Sequence, residues 1–337
     1  MKILVTGGTG FVGAHIVAAL VRDGHDVRLL VRRAEQVPKS LAPLHISVAD
    51  LIVGDVLDAD VVAAALDGCD AVVHAAAVFS LDARRAAEIT RTNLRATELV
   101  VGGAVARGLD PIVHISSTVA LTCRGGGGPD LPLGDVDLPY AKSKRLSEQQ
   151  IRAFQDAGEP VVSVYPGGVF GPHDPYLGTQ AELFTWMAKR RIPVWPNGGA
   201  HYVDVRDAAD VVAACMVPGR GPRRYVVPGH HLNGELMNGT LHELTGRWMP
   251  HVNAPGIVAK PFTQLAELLN KVLPDHVHFP ADVETLELAK RDTRFDTSRT
   301  TDELGIVARP FDETARDTLL WLVDAGQIDP KYAGNLL

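Results

Sequence analysis

The chain opens on KILVTGGTGFVG, an apolar run that passes through a glycine-rich turn directly into an apolar-periodic helix. Few folds accept that order. Gly8, Gly10 and Gly13 satisfy GxGxxG, and Gly7, Gly10 and Gly13 satisfy GxxGxxG. Glycine is needed where the turn is tight, where backbone N–H groups must approach a pyrophosphate, and where helix packs close on strand. Gly7, Gly10 and Gly13, with Phe11 and Val12 at the first helical positions, are therefore candidate phosphate-binding residues of a dinucleotide site. Thr6 is expected only to cap the turn.

Short apolar runs then alternate with longer helical patterns. Residues 2–6, 26–31, 50–55, 70–76, 111–117 and 160–166 read as strands, with a helix from 11 to Gly24 and a long helical stretch over 84–107. Such alternation implies βαβ units and a parallel sheet covered on both faces. After Pro166 prolines and aromatics become frequent, and strands at 201–205 and 223–227 stand isolated between helices. The expected fold is α/β, a Rossmann-type doubly wound parallel sheet with a smaller, interleaved mixed α/β substrate domain. Residues 1–166 form the NADP-binding part, with segments near 201–228 returning to it, and 167–337 form mainly the substrate part.

A dinucleotide site usually carries an acid about 20 residues on, at the end of the second strand, to hold the adenosine ribose. Here that end reads Leu30-Val31-Arg32-Arg33, and Asp26 begins the strand instead. Arg32 in place of the acid suits the 2′-phosphate of NADP. NAD stays open.

The net charge of −7 leaves no basic surplus for nucleic acid. Cys69, Cys123 and Cys215 lie far apart, which fits free thiols in a reducing compartment. MKILVTGG turns glycine-rich too early for a signal peptide, and no apolar run reaches the ~18 residues of a membrane span. The expectation is a cytoplasmic protein without nucleic-acid or membrane partners. His230-His231 reads as an adjacent loop pair of structural or surface role, and no HExxH, GxSxG or GxxxxGK[ST] motif occurs.

In LPYAKSKRLSEQQ, Tyr140 and Lys144 lie four residues apart at a helix start, hence on one face. Reducing a ketone with a nicotinamide hydride leaves an alkoxide that needs a proton. A free phenol, with its pKa near 10, is a sluggish donor and acceptor at neutral pH, and a nearby ammonium favours the phenolate. Lys142 and Arg145 fall on other faces and are expected to be solvated.

TGGTGFVG, Asp55-Val56, HAAAV (74–78), Ser116-Ser117, Tyr140-x-x-x-Lys144 and YPGGVFGP (165–172) together resemble the extended short-chain dehydrogenase/reductase family. The branch most resembled is that of the dihydroflavonol-reductase and 3β-hydroxysteroid-dehydrogenase-like proteins. The likeness covers residues 1 to about 210 and continues weakly through 295–322. It implies Tyr140 as acid/base, Lys144 as its partner and a contact to the cofactor, and Ser117 as the hydroxyl that orients the substrate oxygen. Asp55 and Val56 would meet the adenine, Ala75, Ala76 and Ala77 would line the cofactor, and Pro166 and Val169 would meet the nicotinamide. Asn93 matches an asparagine that holds the sheet or a proton-relay water. Ser116 points to the opposite strand face.

Sugar-nucleotide members carry an arginine just before the stretch that reads HYVDVRD here, where Ala200 stands. Arg190 or Arg191 could compensate. Phe79, Phe170, Phe184, Trp186, Met187, Trp195 and Tyr202 are expected to supply at least part of an apolar pocket. The reading is an NADP-dependent oxidoreductase acting on a carbonyl or alcohol of an apolar or aromatic small molecule. The alternatives are a sugar-nucleotide epimerase/dehydratase with bound NAD and a non-catalytic NADP-sensing regulator. A homodimer through helices at about 84–107 and 139–158 is a further expectation by analogy.

Overall fold

The computed structural model describes residues 1–78, 86–123, 126–130, 132–136, 138–190, 194–270 and 283–337. Seven parallel strands form the main sheet, in the spatial order Arg223–Val226, Val161–Tyr165, Ile112–Ile115, Ala71–His74, Lys2–Thr6, Asp26–Val31, Asp50–Val53. From Lys2–Thr6 the chain builds outward in one direction for two strands. It then crosses back and builds in the other direction, which opens a crevice beyond the carboxyl ends of Lys2–Thr6 and Ala71–His74.

Alternate side chains of each strand enter opposite layers. Ile3, Val5, Leu29 and Val73 pack with the helices Phe11–Arg22 and Val205–Ala214. Leu4, Leu30, Val72 and Ile112 pack on the other side with Val62, Val100 and Ile151. Burial on both faces is why these strands read as continuous apolar runs.

Several expected strands end early, and the residues released are the ones of interest. The third ends at Val53, because Gly54 bonds to the Val31 carbonyl and the Asp55 carboxylate accepts from the Leu57 amide at 2.9 Å. The fifth ends at Ile115, and Ser117 caps the short turn Thr118–Leu121. The long helix runs Ala86–Thr97, passes through a wider turn at Glu98–Gly102 and ends at Val105; residues 84 and 85 of the expected span lie outside the described residues.

The strands read between helices after Pro166 are both paired. Arg223–Val226 is the edge of the main sheet, and Ala200–Asp204 lies between Gly168–Phe170 (parallel) and His230–Leu232 (antiparallel). His230 and His231 thus sit in a strand rather than a loop, and backbone pairing sets that choice. Phe170, Phe184, Met187, Trp195, Leu319 and Leu322 form a separate core beneath this small sheet.

The helix Pro139–Asp156 is fastened to the main sheet by Glu148, which is fully buried. Its carboxylate accepts from the hydroxyls of Ser116 (2.7 Å), Ser163 (3.3 Å) and Tyr165 (2.6 Å), and from Arg152 at 3.3 Å. Ser116 therefore does face away from Ser117, with its hydroxyl spent on this anchor. Replacing Glu148 with leucine strands three buried donors. Glu148→Leu is expected to lower unfolding free energy by about 3 kcal/mol, read from urea midpoints; a loss below about 1 kcal/mol would show the anchor to be dispensable.

Candidate active site

The glycine turn closes against the fourth strand. Gly7 has φ +77°, and a Cβ on it would lie 2.6 Å from the backbone of both Ala75 and Ala76. A Cβ on Gly13 would collide with the Gly7 carbonyl. Gly10 differs, since its Cβ would touch only the Gly7 carbonyl, at 3.3 Å. Gly7 and Gly13 make the turn possible, whereas Gly10 keeps the helix start open. The Gly10 amide donates to the Gly7 carbonyl at 2.9 Å, and the first helical bond runs from Ala14 to the Gly10 carbonyl at 2.8 Å. The amides of Phe11, Val12 and Gly13 precede that ladder and are free to meet an anion.

Thr6 does more than cap this turn. It is fully buried; its hydroxyl pairs with His74 Nδ1 at 2.8 Å and accepts from the Ala76 amide at 3.3 Å, joining the strands on either side of the crevice. Ser40 donates to the Thr9 carbonyl at 2.7 Å and pins the loop from the other side.

Around this crevice stand Ala75 and Ala76, half-buried, with Ala77 exposed beyond them, then Asp55 exposed and Val56 half-buried. Arg32 and Arg33 are exposed past the end of the second strand, and neither makes an ion pair among the described residues. A dinucleotide fits these residues: the glycine turn leaves its backbone approachable, and an uncommitted guanidinium stands at the neighbouring strand end. The Asn93 carboxamide holds both the amide (2.8 Å) and the carbonyl (3.0 Å) of Val78, so it fixes the loop after the fourth strand.

Ser117 and Tyr140 line one cavity of about 180 Å³. Its floor is Gly167 and Gly168, just past buried Pro166 and beside Val169, where the Thr118 amide bonds the Pro166 carbonyl at 3.0 Å. Ser117 Oγ accepts from the Val119 amide at 3.2 Å, which leaves its own hydrogen to donate. Ala200, His201 and Tyr202 form another wall, and Leu288, Ala289, Thr293 and Phe295 form the roof.

Lys144 is half-buried one helical turn after Tyr140. Burial pushes its ammonium down to about 8, against the opposing pull of Glu148 one turn further on. Nearby, burial lowers the imidazole of His74 to about 4 and that of His114 well below its ordinary value. The charge on Lys144 adds to both shifts, so these rings stay neutral beneath it. Lys142 is exposed as expected, but Arg145 is half-buried and donates to the Gly134 carbonyl at 3.3 Å, since the loop before the helix folds back onto it.

The expected aromatic pocket is only partly realised. Tyr202 lines the cavity, while Phe170, Phe184, Met187 and Trp195 are buried in the neighbouring core. Trp186 is half-buried on the helix Thr179–Ala188 and does not reach the cavity; Phe79 lies outside the described residues. Arg190 is exposed away from the cavity, and Arg191 also lies outside the described residues. Sequence reasoning missed Thr118, Thr122, Gln180 and the roof residues, for they come from distant segments and belong to no local motif.

A family model described as the NAD dependent epimerase/dehydratase family matches residues 3–227. A Synechocystis sp. protein carrying the provisional name dihydroflavonol 4-reductase is 28% identical, over 96% of this chain and 95% of its own. A 4-hydroxy-2-methyl-3-oxo-4-farnesyl-3,4-dihydroquinoline-1-oxide ketoreductase from Stigmatella aurantiaca is 28% identical, over 97% of this chain and 98% of its own. Among solved structures, a nucleoside-diphosphate-sugar epimerase from Pseudomonas aeruginosa superposes with a TM-score of 0.77 at 23% identity, covering 98% of this chain and 99% of that one. The chain belongs to the NAD dependent epimerase/dehydratase family, within the extended short-chain dehydrogenase/reductases, and is an NAD(P)-dependent oxidoreductase. No described helix is long and apolar enough to cross a membrane.

Lys144 has a signature in stability. Between pH 8 and 10.5 the unfolded chain keeps a proton on this lysine that the folded chain has lost. Its contribution to stability therefore rises with pH across that window. The unfolding free energy of wild type minus that of Lys144→Met is expected to increase from pH 7.5 to pH 10. A flat difference would place the ammonium in water.

Proposed function

We propose that this protein is an NADP-dependent reductase that reduces a ketone or aldehyde of an apolar or aromatic small molecule, or oxidises the corresponding secondary alcohol. One observation carries the substrate class. Among the described residues, no lysine, arginine or carboxylate lines the cavity that holds Ser117 and Tyr140, and Ala200 occupies the position where a sugar-nucleotide enzyme would grip a diphosphate. Burial lowers the pKa of His201, and its Nε2 is paired with the Val227 carbonyl at 2.8 Å, so it brings no cation either. A diphosphate placed there would lose its charge partners.

In this reading the nicotinamide supplies the hydride. Ser117 donates to the carbonyl oxygen and holds it, and Tyr140 gives that oxygen its proton. The Lys144 ammonium, protonated below pH 8, favours the phenolate that remains, and it would also bond the nicotinamide ribose. Gly7, Gly10, Phe11, Val12 and Gly13 would hold the pyrophosphate, Asp55 and Val56 would meet the adenine, Ala75 to Ala77 would line the cofactor, and Pro166 and Val169 would meet the nicotinamide. The partner is a small molecule, not nucleic acid or membrane, in the cytoplasm. A homodimer would form through the helices 86–105 and 139–156.

Ketones and secondary alcohols assayed with NADPH and NADP, following the reduced nicotinamide, test the reading directly. Turnover of a nucleotide sugar with none of simple carbonyls would overturn it. Tyr140→Phe is expected to bind NADPH as wild type does and to lose about 10²–10⁴-fold in kcat; retention of more than roughly a tenth of the activity would remove Tyr140 from the proton step.

The cofactor preference rests on Arg32, which pairs with no carboxylate among the described residues. Arg32→Asp removes a charge-assisted partner of the 2′-phosphate and offers the ribose hydroxyls an acceptor. NADPH affinity is expected to fall roughly tenfold or more, with NADH equal or better. A wild type that binds NADH more tightly than NADPH in the same titration would refute the assignment.

A further inference from the structure

We infer that Gln180 reads a second polar group on the substrate, a hydroxyl, in addition to the reacting carbonyl; this rests on the reductase reading above. Gln180 lines the same cavity as Ser117 and Tyr140. Its Oε1 is shut off from solvent without a partner, and its carboxamide makes no hydrogen bond among the described residues. Three other polar side chains of the cavity are already committed to backbone carbonyls. Thr122 donates to the Thr118 carbonyl (3.1 Å), Thr293 to the Cys123 carbonyl (2.6 Å), and His201 pairs with the Val227 carbonyl (2.8 Å).

The backbone beneath Gln180 is held in place. Asp174 accepts from the Gly178 amide at 2.8 Å, and the Gly178 carbonyl accepts from Glu182 at 3.0 Å, so the second residue of the helix Thr179–Ala188 is fixed against the cavity. The enclosed Oε1 end of this carboxamide, with no protein partner among the described residues, is costly unless a ligand satisfies it. A hydroxyl both donates and accepts, so it pairs with whichever end of the amide faces it. The cavity, at about 180 Å³, is smaller than the roughly 300–1,000 Å³ of pockets for drug-sized ligands. It therefore suits a compact carbonyl compound that touches Gln180 and Tyr140 at once.

The test is a matched pair of near-isosteric ketones, 4-hydroxycyclohexanone and 4-methylcyclohexanone, reduced with NADPH by wild type, Gln180→Met and Gln180→Glu. Wild type is expected to favour the hydroxyketone in kcat/KM by roughly tenfold. Gln180→Met should lose that preference through the hydroxyketone alone, and its turnover of the methyl compound certifies the fold. Gln180→Glu, which still accepts a hydrogen bond, should keep it. An unchanged ratio in Gln180→Met, or an equal fall on both ketones, overturns the inference and leaves the reductase reading standing. Turnover of neither ketone by wild type sinks that reading and the inference with it.

Discussion

One buried carboxylate, that of Glu148, fixes where the proposed catalytic pair stands. Tyr140, Lys144 and Glu148 follow one another at four-residue intervals along a helix face. The last of them is bound by hydroxyls from Ser116, just past one strand, and from Ser163 and Tyr165 on the next. Burial, and then the charge of Glu148, raise the Tyr165 phenol well above its ordinary value, so it stays a donor to that carboxylate. Rotating or sliding the helix would break three buried bonds at once. The phenol and the ammonium are thereby held in register with Ser117, which lies on the opposite face of the same strand end as Ser116.

The electrostatic arrangement follows from that placement. An ammonium kept largely from water needs a compensating charge, and Glu148 supplies it one turn away. The two imidazoles below could have competed as cations, but burial keeps them neutral. Lys144 can then be protonated at neutral pH and still lie within one proton of the neutral amine.

The fold, and the helix that sets Tyr140 one turn before Lys144, were legible because they are written locally. A glycine turn between strand and helix, strands buried on both faces, and a four-residue spacing each leave a mark within a dozen residues. Thr6 was misread because its partners, His74 and Ala76, lie some seventy residues away. At least some aromatics of the second half were expected in the pocket, and Tyr202 is there. Packing instead drew Phe170, Phe184 and Trp195 into a core of their own and left glycine and threonine around the cavity. Periodicity tells which residues are buried, not which of two adjacent cores will claim them. The roof over 288–295 carries no motif, since it has only to fill space above residues placed by other means.

That roof belongs to a different stretch of chain from everything beneath it. Thr293 reaches the Cys123 carbonyl, Arg291 pairs with Asp135, and Arg294 and Phe295 pair with Gly126 and Gly127. These few links join cavity-lining residues of 288–295 to the proposed reaction centre between residues 117 and 144. Substitution or insertion around 283–295 can therefore reshape that side of the cavity while Ser117, Tyr140 and Lys144, held by other segments, keep their places. A scaffold divided in this way can change its diet while keeping its chemistry, and a single ancestral site could serve many substrates in descent.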